Sequence, residues 1–273
     1  MIVKFWGVRG SYPTCRAGVN KYGGNTSCVS IQINDKLLVI DAGSGVRLLG
    51  DAIADEVTDI YFILTHLHRD HLDGFPFFAP LYEPGRRVHL INYRRGKKKY
   101  SLLSMLDGVH YPMVPASVMA DHVIVKRSPM KYLRSEGFDI TRLKLNHPGG
   151  AYGYRVAHEG KSVVHIPDNE LNSPIARTSM DDFVGFCKDA DILSHDAMYI
   201  SEQMPEKRGW GHSTVYEACQ LAKAARVGHL VLFHHAPERD DADLDEIQRL
   251  AREKLEEDEV KCTAAYEGLT FEF

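Results

Sequence analysis

The sequence predicts a mixed α/β fold in which strands dominate and helices are interspersed. Three observations lead to it. Short apolar runs rich in strand formers recur from Val29 to Phe273. Two windows, one after Thr214 and one around Leu244, carry helical spacing next to capping residues. The composition, 44% hydrophobic and 26% charged, is that of an ordinary globular chain rather than a disordered one.

The elements follow in chain order. Val29, Ile31 and Ile33 alternate with polar residues, as on a half-buried strand. Lys36–Asp41 (KLLVID) is an apolar run stopped by an Asp-Ala-Gly turn, and Ile60–Leu64 (IYFIL) is another that stops at Thr65. Further strand-like runs are Val88–Ile91, Phe138–Leu145, Tyr152–Val156, Ser162–Ile166, Leu230–Phe233 and Leu269–Phe273. Val215, Ala218, Ala222 and Ala225 have helical spacing, and Thr214 with Glu217 would form a capping box at its start. A second helix places Leu244, Ile247, Leu250 and Leu255 on one side, with Asp243 and Glu246 as its capping pair. Residues 83–135 are less regular and read as an elaboration over one face. Their basic run, Arg94, Arg95, Lys97, Lys98 and Lys99, reads as a solvated loop or as a surface that attracts phosphate.

A length of 273 residues admits two domains at roughly 150 residues each, but α/β folds of this size are often one. With no internal repeat or low-complexity linker, a single domain over 1–273 is expected. The formal charge of −4 gives no global pull toward nucleic acid or membrane. Neither a secretory signal nor an apolar stretch near the ~20 residues of a membrane span is visible. The five cysteines are widely spread with no CxxC pair, which points to thiols in a reducing cytoplasm.

What stands out is 14 histidines in 273 residues. Residues 65–71 read THLHRDH, directly after an apolar strand. His66, His68, Asp70 and His71 thus offer four metal-binding groups in one strand-end loop, and side chains two apart on extended chain point the same way. Imidazole with carboxylate suits Zn²⁺ and related divalent ions. His147 (LNHPGG), Asp168 (VVHIPDNE) and His234 (LVLFHHAPE) each follow an apolar run. Alone, His147 or Asp168 could be an ordinary turn residue.

Together these residues resemble the metallo-β-lactamase superfamily. THLHRDH is similar to its HxHxDH signature, and Asp41-Ala-Gly to its early Asp-x-Gly strand end. His147, Asp168 and His234 follow in the family's motif order. The resemblance implies a four-layer αββα sandwich of two mixed β-sheets, with the site at one edge. It implies two divalent metal ions per chain, Zn²⁺ first, with Mn²⁺ or Fe as alternatives. His66, His68 and His147 would hold one ion and Asp70, His71 and His234 the other, with Asp168 bridging. Of the adjacent pair His234 and His235, the pattern selects His234. Asp41 would stand behind the histidine loop and orient it.

Two later motifs resemble the phosphodiesterase branch, which includes tRNA 3′-end endonucleases and bacterial cyclic-nucleotide phosphodiesterase-like hydrolases. LSHDAMY carries Asp196, where Glu is commoner, and GHSTVYEA carries His212. The resemblance makes His212, Asp196 and Asp70 the catalytic groups, with Asp196 orienting His212 and His195 positional. Expelling an alkoxide needs a proton donor, and His is tunable near neutral pH. The N-terminal FWGVRGS and YGGNTSC segments resemble bacterial members of this branch and nominate Arg9, Asn25 and Thr26 for substrate binding. GGNTS would offer backbone N–H groups to an anion, or else be a Gly-rich hairpin supporting the metal loop.

The resulting expectation is hydrolysis of a phosphodiester in a small molecule such as a cyclic nucleotide. No long Gly/Pro-rich arm of the kind used to grip tRNA is evident, so nucleic acid is not the favoured substrate. The alternatives are a lactone, thioester or β-lactam hydrolase on the same fold, or a tRNA 3′-end endonuclease. A cytoplasmic protein without a membrane partner is expected, and a homodimer is left open.

Overall fold

The computed structural model describes residues 1–95, 98–126 and 128–273. Its strands β1 (Ile2–Gly7), β2 (Cys28–Ile33) and β3 (Lys36–Ile40) lead into helix α1 (Val46–Ala52). Then come β4 (Asp59–Ile63), β5 (Arg87–Ile91), the hairpin β6 (Tyr93–Arg95) and β7 (Lys98–Tyr100), β8 (Asp121–Val125) and α2 (Pro129–Ser135). The second half holds β9 (Asp139–Leu145), β10 (Ala151–His158), β11 (Lys161–Ile166), α3 (Met180–Cys187), β12 (Ile192–Asp196) and the short α4 (Met204–Lys207). It closes with α5 (Val215–Ala224), β13 (His229–Phe233), α6 (Asp241–Leu255), β14 (Lys261–Ala264) and β15 (Thr270–Glu272).

Two mixed sheets result, one ordered β15-β1-β2-β3-β4-β5-β8 and the other β14-β13-β12-β11-β10-β9. Side-chain alternation builds the layers. In β4, Tyr61 and Ile63 face the opposing sheet while Ile60 and Phe62 face outward. Between the sheets, Phe5, Ile31, Leu38 and Tyr61 meet Ile140, Val156, Val231 and Phe233. The Phe5 and Phe233 rings lie 5.9 Å apart. Burying each such phenyl group contributes roughly 1.5–3 kcal/mol. Outside the first sheet, Phe62 packs edge-on against Phe75 and Phe78, beside Val46 and Leu49 of α1. Outside the second, Val164, Leu193 and Leu230 are covered by Phe183 of α3, Leu221 of α5 and Leu244 of α6. This is the expected αββα arrangement.

The Thr214–Glu217 capping box forms as read, with the Glu217 N–H donating to Thr214 Oγ1 at 3.1 Å. The box of α6 is Asp240–Asp243, not Asp243–Glu246. The helix therefore starts earlier, and its buried stripe is Leu244, Ile247, Ala251 and Leu255. Leu250 rotates off that face and is 42% exposed. Within 83–135, β5 and β8 pair in parallel with the first sheet, while Leu102, Leu103 and Leu106 cover its outer face. Of the basic run, Lys98 and Lys99 are exposed on β7, whereas Lys97 and the side chains of Arg94 and Arg95 lie outside the described residues. The cysteines are free, and only Cys15 is exposed. No helix among the described residues is long and apolar enough to cross a membrane.

The sheet directions position the site. β3 and β4 run parallel, as do β11, β12 and β13. Their C-terminal ends, joined by that of β9, open on one edge of the sandwich. Asp41, His66, His147, Asp168, Asp196 and His234 all lie at or just beyond these ends.

Candidate metal centre

Asp168, fully buried just past β11, divides the cluster between its two carboxylate oxygens. Oδ2 lies 3.7 Å from Nε2 of His66 and 3.7 Å from Nε2 of His147. His68 closes this group, with Nδ1 3.1 Å from His147 Nε2. Oδ1 lies 3.0 Å from Nε2 of His71 and 3.2 Å from Nε2 of His234. Asp70 completes that second group, its Oδ2 3.4 Å from His71 Nε2 and 3.3 Å from His234 Nε2. Each group could hold a metal ion.

The donor set fits divalent cations. His66 Nε2, His71 Nε2 and Asp168 Oδ1 are buried without a hydrogen-bond partner. Leaving such an atom unsatisfied costs about 1–3 kcal/mol, and a cation in each group would satisfy them. Tetrahedral coordination with bonds of ~2.1 Å places ligand atoms ~3.4 Å apart, close to the separations above.

In three of the rings Nδ1 is held from behind, which leaves Nε2 facing inward. His71 Nδ1–H donates to Asp41 Oδ2 at 2.8 Å. His66 Nδ1–H donates to Thr65 Oγ1 at 3.1 Å, and Thr65 in turn donates to Asp41 Oδ2 at 2.7 Å. His147 Nδ1–H donates to the Gly211 carbonyl at 2.8 Å. Asp70 is fixed by the Ser11 N–H, which donates to its Oδ2 at 2.8 Å. His234 sits at φ +60°, a left-handed conformation that non-glycine residues adopt at a cost. Its ring meets the cluster, while the next ring, His235, donates to or accepts from no other site residue and lies 2.9 Å from the Ala265 carbonyl. Of the adjacent pair, His234 is the one placed beside Asp70 and His71.

Electrostatics reinforces the geometry. Burial would raise the Asp168 carboxyl, but His234, His71 and His66 outweigh it and hold it well below the usual range. Burial and the neighbouring His71 push the His66 imidazolium down, and burial pushes His147 to about 4, which favours neutral rings with a free lone pair.

His212 stands over the cluster, its ring 5.0 Å from that of His234 and 5.2 Å from that of His147. Its Nδ1–H donates to Asp196 Oδ2 at 2.7 Å, so the shorter acid at 196 does reach it. Burial alone would lower the His212 pKa, but the Asp196 charge and hydrogen bond raise it to about 9. Asp196 itself is fully buried, and its Oδ2 also accepts from Asn169 N–H at 3.1 Å. Asp196 therefore meets the cluster through His212.

Of the N-terminal residues nominated for substrate binding, Asn25 and Thr26 line a cleft together with Asp70, and Arg9 does not. Arg9 is fully buried, and its guanidinium donates to the carbonyls of Gly23, Ala236 and Arg239. It ties the N-terminal segment to the loop after β13 and does not face the cluster. The Gly-rich turn holds an anion from the chain itself: the Asn25 N–H donates to Glu267 Oε1 at 2.6 Å, and its Nδ2 reaches the same oxygen at 3.1 Å. Thr26 Oγ1 accepts from the Ser44 N–H at 2.9 Å. Arg9, Asn25 and Thr26 thus brace the loops around the site.

A family model described as a beta-lactamase superfamily domain matches residues 37–235. The chain belongs to the metallo-β-lactamase superfamily. Its similar proteins include the probable metallo-hydrolase YhfI of Bacillus subtilis, 26% identical over 81% of this chain and 84% of that protein. The crystal structure of YhfI superposes with a TM-score of 0.68 at 20% identity, covering 100% of this chain and 99% of that one. Ribonuclease Z of Pyrococcus furiosus is 22% identical over 78% of this chain and 81% of its own length. A diphosphatase of the PhnP family shares the fold, with a TM-score of 0.68, 20% identity, and coverage of 100% and 97% of the two chains.

Within this superfamily member, two supporting residues escaped the sequence reading. Thr65 relays between Asp41 and His66, and its place directly before the histidine loop was the available signal. Glu170 is fully buried two residues after Asp168, and its carboxylate accepts the N–H groups of Gly209 and Gly211 at 2.9 and 3.0 Å. It thereby fixes the loop whose Gly211 carbonyl holds His147 and whose next residue is His212. A buried acid in PDNE gave no spacing signal of its own.

Proposed function

We propose that this metallo-hydrolase cleaves the phosphodiester bond of a small molecule, using two divalent ions held by His66, His68 and His147 and by Asp70, His71 and His234, with Asp168 shared. Bound there, such ions supply Lewis acidity toward a phosphoryl oxygen and an activated water nucleophile. The chain's own groups do the rest. Asp41, Thr65 and the Gly211 carbonyl orient the imidazoles. His212, with Nδ1 held by Asp196, presents Nε2 as the proton donor to the departing oxygen.

The Asp196–His212 pair beside the cluster carries this reading. An alkoxide is a poor leaving group without a proton, whereas the thiolate of a thioester departs without a dedicated donor. The ribonuclease Z relatives make an RNA substrate the second reading.

The test is turnover of an aryl phosphodiester, a cyclic-nucleotide panel, a precursor tRNA, a lactone and a thioester by metal-loaded protein. Hydrolysis of small phosphodiesters, lost in His212→Ala with metal content retained, is expected. Unchanged phosphodiester turnover in that variant, or a preference for lactone or thioester, would overturn the proposal.

A further inference from the structure

Among the described residues, a third group of side chains has metal-ligand spacing. It consists of Asp168, His212 and His234, all buried, with one ligand atom from each within 4.8 Å of the others. This group keeps His234 and the shared Asp168, and takes His212 in place of Asp70 and His71.

Two features give His212 the setting of a ligand. The first is its relation to His234, whose ring stacks on that of His71 at 5.6 Å, with 23° between the planes, and on that of His212 at 5.0 Å, with 16°. The second is its backing. His71 Nδ1–H donates to the buried Asp41 carboxylate at 2.8 Å, and His212 Nδ1–H donates to the buried Asp196 carboxylate at 2.7 Å. A carboxylate behind a metal-bound imidazole fixes the ring and raises the basicity of its inner nitrogen. The remaining donors are at hand, since Asp168 Oδ1 is buried without a hydrogen-bond partner and lies 3.2 Å from His234 Nε2.

We infer that His212 is a reserve ligand: with Asp168 and His234 it forms an alternative berth for the second ion. The inference rests on the two-ion reading above and not on the identity of the substrate. Three nitrogen and oxygen donors suffice for a divalent ion that keeps one position open. The ordinary berth of Asp70, His71, His234 and the shared Asp168 has four donors, and two carboxylates rather than one. It attracts a dication more strongly and fills first. The two berths share His234, so they compete for one ion. An imidazole nitrogen that holds an ion carries no proton, so His212 is either ligand or proton donor. The alternative berth is thus an idle state of the hydrolase.

Elemental analysis of zinc-loaded protein tests this without reference to turnover. Native protein and His212→Gln should each hold two ions per chain. Asp70→Asn should also hold two, because the second ion moves to the reserve berth, whereas Asp70→Asn combined with His212→Gln should hold one. His71→Gln removes the other ligand that belongs to the ordinary berth alone. It should behave as Asp70→Asn does, both singly and combined with His212→Gln. In Asp70→Asn loaded with ¹¹³Cd²⁺, the ¹⁵Nε2 resonance of His212 should be split by coupling to the metal. One ion in either Asp70→Asn or His71→Gln would overturn the reserve berth, as would two ions in the double variants or an unsplit His212 resonance. Fewer than two ions in native protein would overturn the two-ion reading itself, and the berth with it.

Discussion

Asp41 Oδ2 receives both the His71 Nδ1–H, at 2.8 Å, and the Thr65 hydroxyl, at 2.7 Å. One carboxylate behind the histidine loop thus sets the ring orientation in both groups of the cluster, His71 directly and His66 through Thr65. Asp41 itself sits at φ +64°.

Asp41→Asn is the clean probe of that arrangement, because Asn tolerates the left-handed backbone and changes mainly the charge. Loss of such an outer partner lowers metal affinity about 10–100-fold. Competition with a chromophoric chelator should show that loss with native secondary structure intact.

Asp196→Asn should lower kcat while leaving KM and metal stoichiometry near native values. A positioned proton donor contributes on the order of 10²–10⁴-fold, and misorienting His212 forfeits part of it. Steady-state kinetics with parallel elemental analysis separates this from loss of metal.

Gly211→Ala should release metal first from the His66–His68–His147 group. Gly211 has φ +92°, and a Cβ there would fall 2.2 Å from Pro148 Cδ and 2.5 Å from His147 Nδ1. The strain acts on the same peptide whose carbonyl holds His147. Fractional metal occupancy is the readout, and His212→Ala serves as the comparison because it leaves that carbonyl in place.

Acid should destabilise the fold in part through His229, far from the centre. Burial first, then the charges of Lys261 and Arg252, push its pKa from 6.5 to about 4. Between those values the unfolded chain binds a proton that the folded chain does not, so stability falls as pH drops through this window. Thermal melts of His229→Gln should show a shallower decline from pH 6.5 to 4 than native protein.

Much of the fold was legible because its strands are apolar runs with clear stops. The elements missed are informative. β12 (ILSHD) loses its apolar signature because Ser194, His195 and Asp196 are three of its five residues, so a strand that feeds the site is the hardest to read. In β1, Lys4 interrupts the apolar pattern, and its Nζ lies 4.0 Å over the Trp6 ring. The candidate ligands could be read because each lies in a strand-end motif. Arg9 could not be placed from sequence, because a guanidinium looks the same whether its partner is a substrate or a distant carbonyl. Only the fold brings Glu267 to the Gly-rich turn. The same limit hid Glu170.

The contact between His234 and Asp70 spans 164 residues of chain. The first sheet brings the histidine loop and the second brings His147, Asp168 and His234, so no complete set of ligands exists until the sheets have docked. A divalent ion held there acts on a contact absent from early folding, and such contacts slow unfolding without speeding folding. Chelation should therefore shorten the lifetime of the folded state far more than it changes the rate of reaching it, making the ion a latch on the closed sandwich rather than a seed for its assembly.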